Sequence, residues 1–261
     1  MSEEPREEDS FISHLLELRT RLLRAIVAIG AVFVCLMPWS GAIYDLLASP
    51  LIAALPPETR MIATGVITPF MVPLKITLLA AFVLALPFVL YQAWAFVAPG
   101  LYAHERRLAL PLVAGSTLLF LAGMAFCYFF VFRMVFGFIA QFAPKSVMPA
   151  PDIEQYLSFV TTMFIAFGMT FEVPVAVILL ARAGVVSVAK LREIRPYVIV
   201  GAFIVAAVVT PPDVASQIML AVPVCLLYEA GILIASALSR PVAEAKNEPE
   251  TAAGSEDSRP R

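Results

Sequence analysis

The stretch ITLLAAFVLALPFVLYQAWAFV, Ile76–Val97, contains no charged residue. As a helix rising 1.5 Å per residue it reaches roughly 33 Å, enough to cross a hydrocarbon core of about 30 Å. Outward from it, Lys75 stands at one end, and at the other Pro99-Gly100 leads into His104-Glu105-Arg106-Arg107. Leu108–Phe132 and Leu157–Ala181 repeat the pattern, the second interrupted only by Glu172. Ala25–Trp39 is shorter, but Arg21 and Arg24 can snorkel from its start, so it serves as the first span. Tyr197–Thr210 and Val214–Tyr228 are separated only by Pro211-Pro212-Asp213 and cover about 21 to 23 Å each. They either cross a thinned bilayer or form a re-entrant hairpin, since mismatch costs only fractions of a kcal/mol per Å. The predicted architecture is all-α, a polytopic membrane protein with six transmembrane helices near 22–39, 74–97, 108–132, 156–181, 196–210 and 214–235, the last two short.

Composition agrees. The 261 residues are 61% hydrophobic and 15% charged, whereas soluble domains are nearer half apolar and a quarter charged. A net charge of −2 sums acidic ends and basic loops and argues neither for nor against nucleic acid, which is not expected as a partner. Cys35, Cys127 and Cys225 sit inside apolar stretches without ligand spacing, as small core residues do, so no metal or cofactor is expected. Met1–Ser10 is acidic and lacks the basic and apolar regions of a cleavable signal. After Val242 almost no large apolar residue remains, so 241–261 is expected to be a disordered tail.

Sidedness follows from Lys and Arg, which set orientation more strongly than acids do. Of the 18 such residues, only Arg60, Lys75, Arg133 and Lys145 fall in one set of loops; the other fourteen place both termini and the loops near Glu105 and Lys190 in the cytoplasm. The outer side then receives loops over Ser40–Pro73 and Met134–Gln155. Within the first, the apolar stretch Ile43–Leu55 is too short to span and is expected to lie along the membrane surface.

Three groups of residues carry potential chemistry. Before the first span, helical spacing puts His14, Glu17, Arg21 and Arg24 on one stripe; Arg19 falls among the apolar residues, roughly 200° round from Glu17. A solvated helix touching anionic headgroups would look the same. In the first cytoplasmic loop, Glu105 precedes Arg106 and Arg107, which would also suit mere topology anchors. Glu172 lies roughly 15 Å inside its helix, where an acid costs about 2.5 to 3.5 kcal/mol unless it faces protein or water. Pro174 loosens the helix beside it, and Gln92 and Thr210 are the polar groups expected to join it, as a functional cluster or a structural one.

Taken together, these blocks are similar to the TatC family along nearly the whole chain. The resemblance rests on His14-Leu15-Leu16-Glu17-Leu18-Arg19-Thr20-Arg21-Leu22; on Tyr91-Gln92-Ala93-Trp94-Ala95-Phe96 running to His104-Glu105-Arg106-Arg107; on Phe171-Glu172-Val173-Pro174; and on Arg195-Pro196-Tyr197 with Thr210-Pro211-Pro212-Asp213. Ala103 departs from it, since some members carry a basic residue before the His-Glu pair. The resemblance implies a cupped six-helix receptor in the bacterial inner membrane. It implies binding of twin-arginine signal peptides at Glu17, Arg19, Phe96, Glu105 and Arg106, and a partner-helix contact around Gln92, Glu172 and Thr210. A periplasmic hairpin around Pro211, Asp213 and Gln217 is implied too, as are TatA- and TatB-like single-span partners, self-association in a multi-copy complex, and export of folded proteins driven by the proton-motive force.

Two rivals are weaker. A proton-coupled transporter predicts inverted repeats, and the chain has none. An intramembrane hydrolase predicts G-x-S-x-G or H-E-x-x-H, and neither occurs, since Leu108 stands where the second His would fall, so a non-enzyme is expected. The charge asymmetry makes a direct prediction: a reporter fused after Arg240 is active in the cytoplasm, and one near Pro57 in the periplasm. A periplasmic signal from the first fusion would overturn the topology.

Overall fold

The computed structural model describes residues 6–54, 61–97, 106–142, 150–210 and 214–238. Helix α1, Arg6–Leu36, carries the juxtamembrane stripe into the first span without a break. It gives way at a 3-10 turn, Met37–Trp39, where Pro38 supplies no N–H to continue the α ladder. Then come α2, Ser40–Ala54; α3, Thr68–Val97; α4, Arg106–Phe126; a single π turn, Cys127–Val131; and α5, Phe132–Phe142. After them follow α6, Ile153–Arg182; α7, Val188–Glu193; α8, Arg195–Val209; and α9, Val214–Leu238. Among the described residues, 5 helical stretches are long and apolar enough to cross a membrane, and Arg195–Val209 is a shorter apolar helix beside them. The expected disordered tail and the Pro211–Asp213 link lie outside the described residues.

Helix α6 is the axis. It packs against α4 and α9, while α1 lies along α3, α8 along α9, and α2 against α3 and α5. Its most apolar window is 56% buried within the protein, against a third or less for the other spans, so it is the helix least offered to lipid. Met163, Phe164 and Phe167 of α6 join Cys127, Val131 and Phe132 in the main core. Lipid tails are as apolar as Leu, so helices in a membrane gain little from hydrophobic burial and depend on close contact. Glycine provides it at two crossings: a Cβ on Gly123 of α4 would stand 2.5 Å from the Phe167 carbonyl oxygen, and one on Gly231 of α9 would stand 3.0 Å from Pro174 Cα.

The far end is fastened by polar contacts. Asp152 caps α6, its Oδ1 accepting from the N–H of Glu154 at 2.9 Å and of Gln155 at 3.1 Å. Its Oδ2 accepts from the Thr64 hydroxyl at 2.7 Å and the Thr64 N–H at 3.1 Å, and Ile62 forms a parallel bridge with Asp152. The Thr64 hydroxyl, then the Gln155 N–H, hold the Asp152 carboxyl below the usual carboxylate range. Tyr156 donates to the Leu47 carbonyl at 2.8 Å, and Tyr128 and Ser49 share a hydrogen bond at 2.9 Å. These tie α2 to the bundle.

Three sequence expectations change here. The loop expected over Met134–Gln155 is helical as far as Phe142, and α6 already begins at Ile153. Arg133 ends the uncharged run but not the helix, because it points outward while Phe132, Val135 and Phe136 are buried. The last span, expected to be short, is α9, a helix of 25 residues long and apolar enough to cross a membrane. Of the cysteines, only Cys127 is buried; Cys35 is exposed and Cys225 intermediate.

Gly123→Val should force α4 away from α6 and cost about 1–3 kcal/mol, read as a lower melting temperature of the detergent-solubilised protein. Gly115→Val, with nothing within 4 Å of the added Cβ, should leave it nearly unchanged.

Candidate functional site

At the end of the bundle that carries the N-terminus, the stripe read from helical spacing closes into an ion pair. Glu17 Oε1 accepts from Arg21 Nε at 2.9 Å and from Arg21 Nη2 as well, one turn apart on α1. Arg19 is exposed and takes no part in the pair. One turn before Glu17, the His14 ring stacks on Phe96 with centroids 4.3 Å apart and planes 17° from parallel. That contact joins the start of α1 to the last turn of α3, from which the chain leaves toward Glu105. Glu105 lies outside the described residues, and Arg106 opens α4 with its side chain likewise outside them.

The same end holds an acid the sequence reading passed over. Glu229 of α9 pairs with Arg195 Nη2 at 2.6 Å, at the first turn of α8, and Tyr228 beside it donates to the Leu191 carbonyl at 2.8 Å. Glu229 stands just past the uncharged run Val214–Tyr228, so the depth argument that singled out Glu172 did not reach it. Both pairs at this end are partly exposed, so each contributes about 0.2–1 kcal/mol. Neither pair contributes much to holding the fold.

The intramembrane cluster differs from the expected one. Glu172 is 7% exposed, and its Oε2 accepts a hydrogen bond from Ser116 of α4, whose Oγ in turn accepts from Trp94 Nε1 of α3 at 2.8 Å. The chain Trp94–Ser116–Glu172 therefore crosses three helices. Gln92 and Thr210 do not join it. The Thr210 hydroxyl returns to the Ala206 carbonyl at 2.8 Å, the local bond open to it at the end of α8. Gln92 is buried, and its Oε1, like Glu172 Oε1, has no partner among the described residues. Ser116 was missed because one serine in an apolar run carries no periodic signal; Trp94 stood in a quoted block, but its indole partner depends on tertiary placement. Gln217 Nε2 donates to the Phe203 carbonyl at 3.2 Å, tying α9 to α8, while Pro211 and Asp213 lie outside the described residues.

The described residues hold no group of His, Cys, Asp and Glu able to ligate a metal. What they present is a carboxylate held by an arginine beside an aromatic ring at one end, and a buried acid with one oxygen left to accept a hydrogen bond deeper in.

Comparison with known proteins gives the chain's family. The family model described as the Sec-independent protein translocase protein TatC matches residues 13–223. The chain is 55% identical over 221 residues to the TatC of Azotobacter chroococcum, covering 85% of this chain and 87% of that one. It is 52% identical to the TatC of Escherichia coli K12, covering 85% and 86%. A crystal structure of a twin-arginine translocase receptor, TatC, superposes with a TM-score of 0.76 at 36% identity, over 87% of this chain and 100% of that one.

The Trp94–Ser116–Glu172 chain can be tested by fluorescence, since the protein has 2 tryptophans. In a Trp39→Phe background, Ser116→Ala should shift Trp94 emission. It should also cost about 1–3 kcal/mol in thermal stability, because it leaves the buried acid without its donor. Unchanged emission would show that the indole is not bonded there.

Proposed function

The chain belongs to the TatC family and is a membrane-embedded subunit of the Sec-independent protein translocase, and from that premise we propose that it is the receptor for twin-arginine signal peptides. It sits in the bacterial inner membrane with both termini in the cytoplasm. The observation that carries the proposal is the Glu17 carboxylate, fixed by Arg21 one turn from the His14–Phe96 stack. A signal with two adjacent arginines needs carboxylates on the cytoplasmic surface, because guanidinium and carboxylate match in a bidentate fork that ammonium cannot form. Glu17 and Glu105 are the acids assigned to it, Arg19 and Arg106 flank them, and Phe96 offers an apolar wall for the residues that follow the arginines.

Magnitudes divide the labour. Even shielded charge-assisted bonds contribute about 1.5–3 kcal/mol each, while micromolar binding needs about 8. The arginine site is thus a selector, and the remaining free energy comes from the signal's apolar segment entering lipid or a groove between helices, at about 25 cal/mol per Å². Met169, exposed one turn before the buried Glu172, marks the face that meets a TatA- or TatB-like single-span partner carrying a polar side chain for the free Glu172 oxygen. Several copies of the receptor assemble with such partners, and the proton-motive force drives export of the folded cargo.

Glu17→Arg or Glu105→Arg should weaken binding of a purified signal peptide roughly ten- to a hundredfold, with membrane partitioning of its apolar part little changed. Replacing both signal arginines by lysine should abolish recognition, and replacing one should only weaken it. Equal binding by parent and reversed variants at low salt would refute the arginine site. For the partner helix, a crosslinker at 169 should capture a single-span protein in the parent and less of it in Glu172→Ala; capture of lipid alone would refute the contact.

A further inference from the structure

Between α3 and α6, next to the Asp152 cap, an open groove of about 450 Å³ runs along both helices, within the range of about 300–1,000 Å³ typical of small-molecule sites. Its chemistry changes in order along its length. At the mouth, Lys75 Nζ pairs with Glu154 Oε1 at 2.6 Å, with 52% and 47% of the two side chains exposed. Ser158, Thr161 and Thr162 line the next part, roughly 6 to 12 Å further along α6. Leu78 and Phe82 of α3 form the apolar wall opposite these hydroxyls, and Ile165 of α6 extends it beyond them.

The three hydroxyls are the unusual feature. A hydroxyl on a membrane helix commonly bonds back to the carbonyl one turn earlier, as Thr77, Thr117 and Thr210 do in this chain. Those of Ser158, Thr161 and Thr162 are engaged by no other described residue. They leave three donors on the groove, between an ion pair and an apolar trough.

Charged head, ester carbonyls and hydrocarbon chain follow one another in the same order in a phospholipid. We propose that this groove holds one phospholipid with a zwitterionic, ammonium-bearing headgroup of the phosphatidylethanolamine class. Its phosphate lies on Lys75 and its ammonium on Glu154. The ester carbonyls accept from the hydroxyls, and one acyl chain lies along Phe82 and Ile165. Charge selects the headgroup. Glu154 neutralises Lys75, and Asp152 adds a second carboxylate two residues earlier, so the mouth carries a net negative charge that opposes an anionic lipid and favours an ammonium.

The test uses the delipidated full-length protein in detergent, titrated with phosphatidylethanolamine or phosphatidylglycerol and read by native mass spectrometry. One phosphatidylethanolamine should be retained about tenfold more strongly than phosphatidylglycerol. Glu154→Lys should reverse that preference, and Ser158→Ala with Thr161→Val should weaken retention several-fold. Ile165→Trp, which fills the trough, should abolish it. The swapped pair Lys75→Glu with Glu154→Lys should restore the parent preference, which separates headgroup selection from misfolding. No retained lipid, or a preference that Glu154→Lys does not move, would overturn the proposal. So would a photo-crosslinker at position 165 that, in vesicles of the two lipids, captures a precursor protein instead of lipid.

Discussion

The whole bundle depends on contact made without water's help. In a membrane the unfolded alternative, separated helices in lipid, is already apolar, so α6 gathers its neighbours by fit. Gly123 lets α4 reach the Phe167 carbonyl, Gly231 lets α9 reach Pro174, and Phe120 seats itself over Gly168. The acid at Glu172 becomes tolerable only inside that packing, because the approach that Gly123 permits brings Ser116, two turns earlier on α4, within hydrogen-bond reach of it. Removing the close crossing would strand the carboxylate as well as loosen the bundle.

The two ends of the molecule use polarity differently. Near Asp152, the bonds from Glu154 and Gln155 cap α6, while those of Thr64 and Tyr156 fasten the segment before α3 and helix α2 to it. At the opposite end, Glu17–Arg21 and Arg195–Glu229 are partly exposed pairs of modest strength. The proposed receptor, selecting by charge and binding by apolar contact, would need this division between the two ends.

Much of this was legible in the residues. Uncharged runs located the spans, and helical spacing put Glu17 beside Arg21 and away from Arg19, since both inferences use only the local geometry of one helix. The limits of the reading were also physical. Arg133 ends an uncharged run, yet a single outward-pointing charge does not end a helix, so α5 was read as loop. The partners of Glu172 were misassigned because Gln92 and Thr210 were chosen for polarity and depth. The true donor, Ser116, is set by the rotation of α4 about its own axis, and that rotation is fixed by packing across helices. Glu229 was overlooked for a different reason: it lies just past the end of its run, where an acid excites less notice.

The π turn at Cys127–Val131 gives that rotation a further meaning. Before it, the buried positions of α4 recur as Val113, Ser116, Phe120 and Gly123; after it they recur as Val131, Phe132, Val135 and Phe136. Written on a regular helix, the two sets would point about 100° apart, the angle of one residue. A π turn absorbs one extra residue, so both sets face α6 after all. The span is thus written in two reading frames joined by a phase correction. Its inner half, which holds the donor to Glu172, and its outer half, whose aromatic residues meet α6 near the Asp152 cap, keep their alignment only while that single supernumerary residue stays in place.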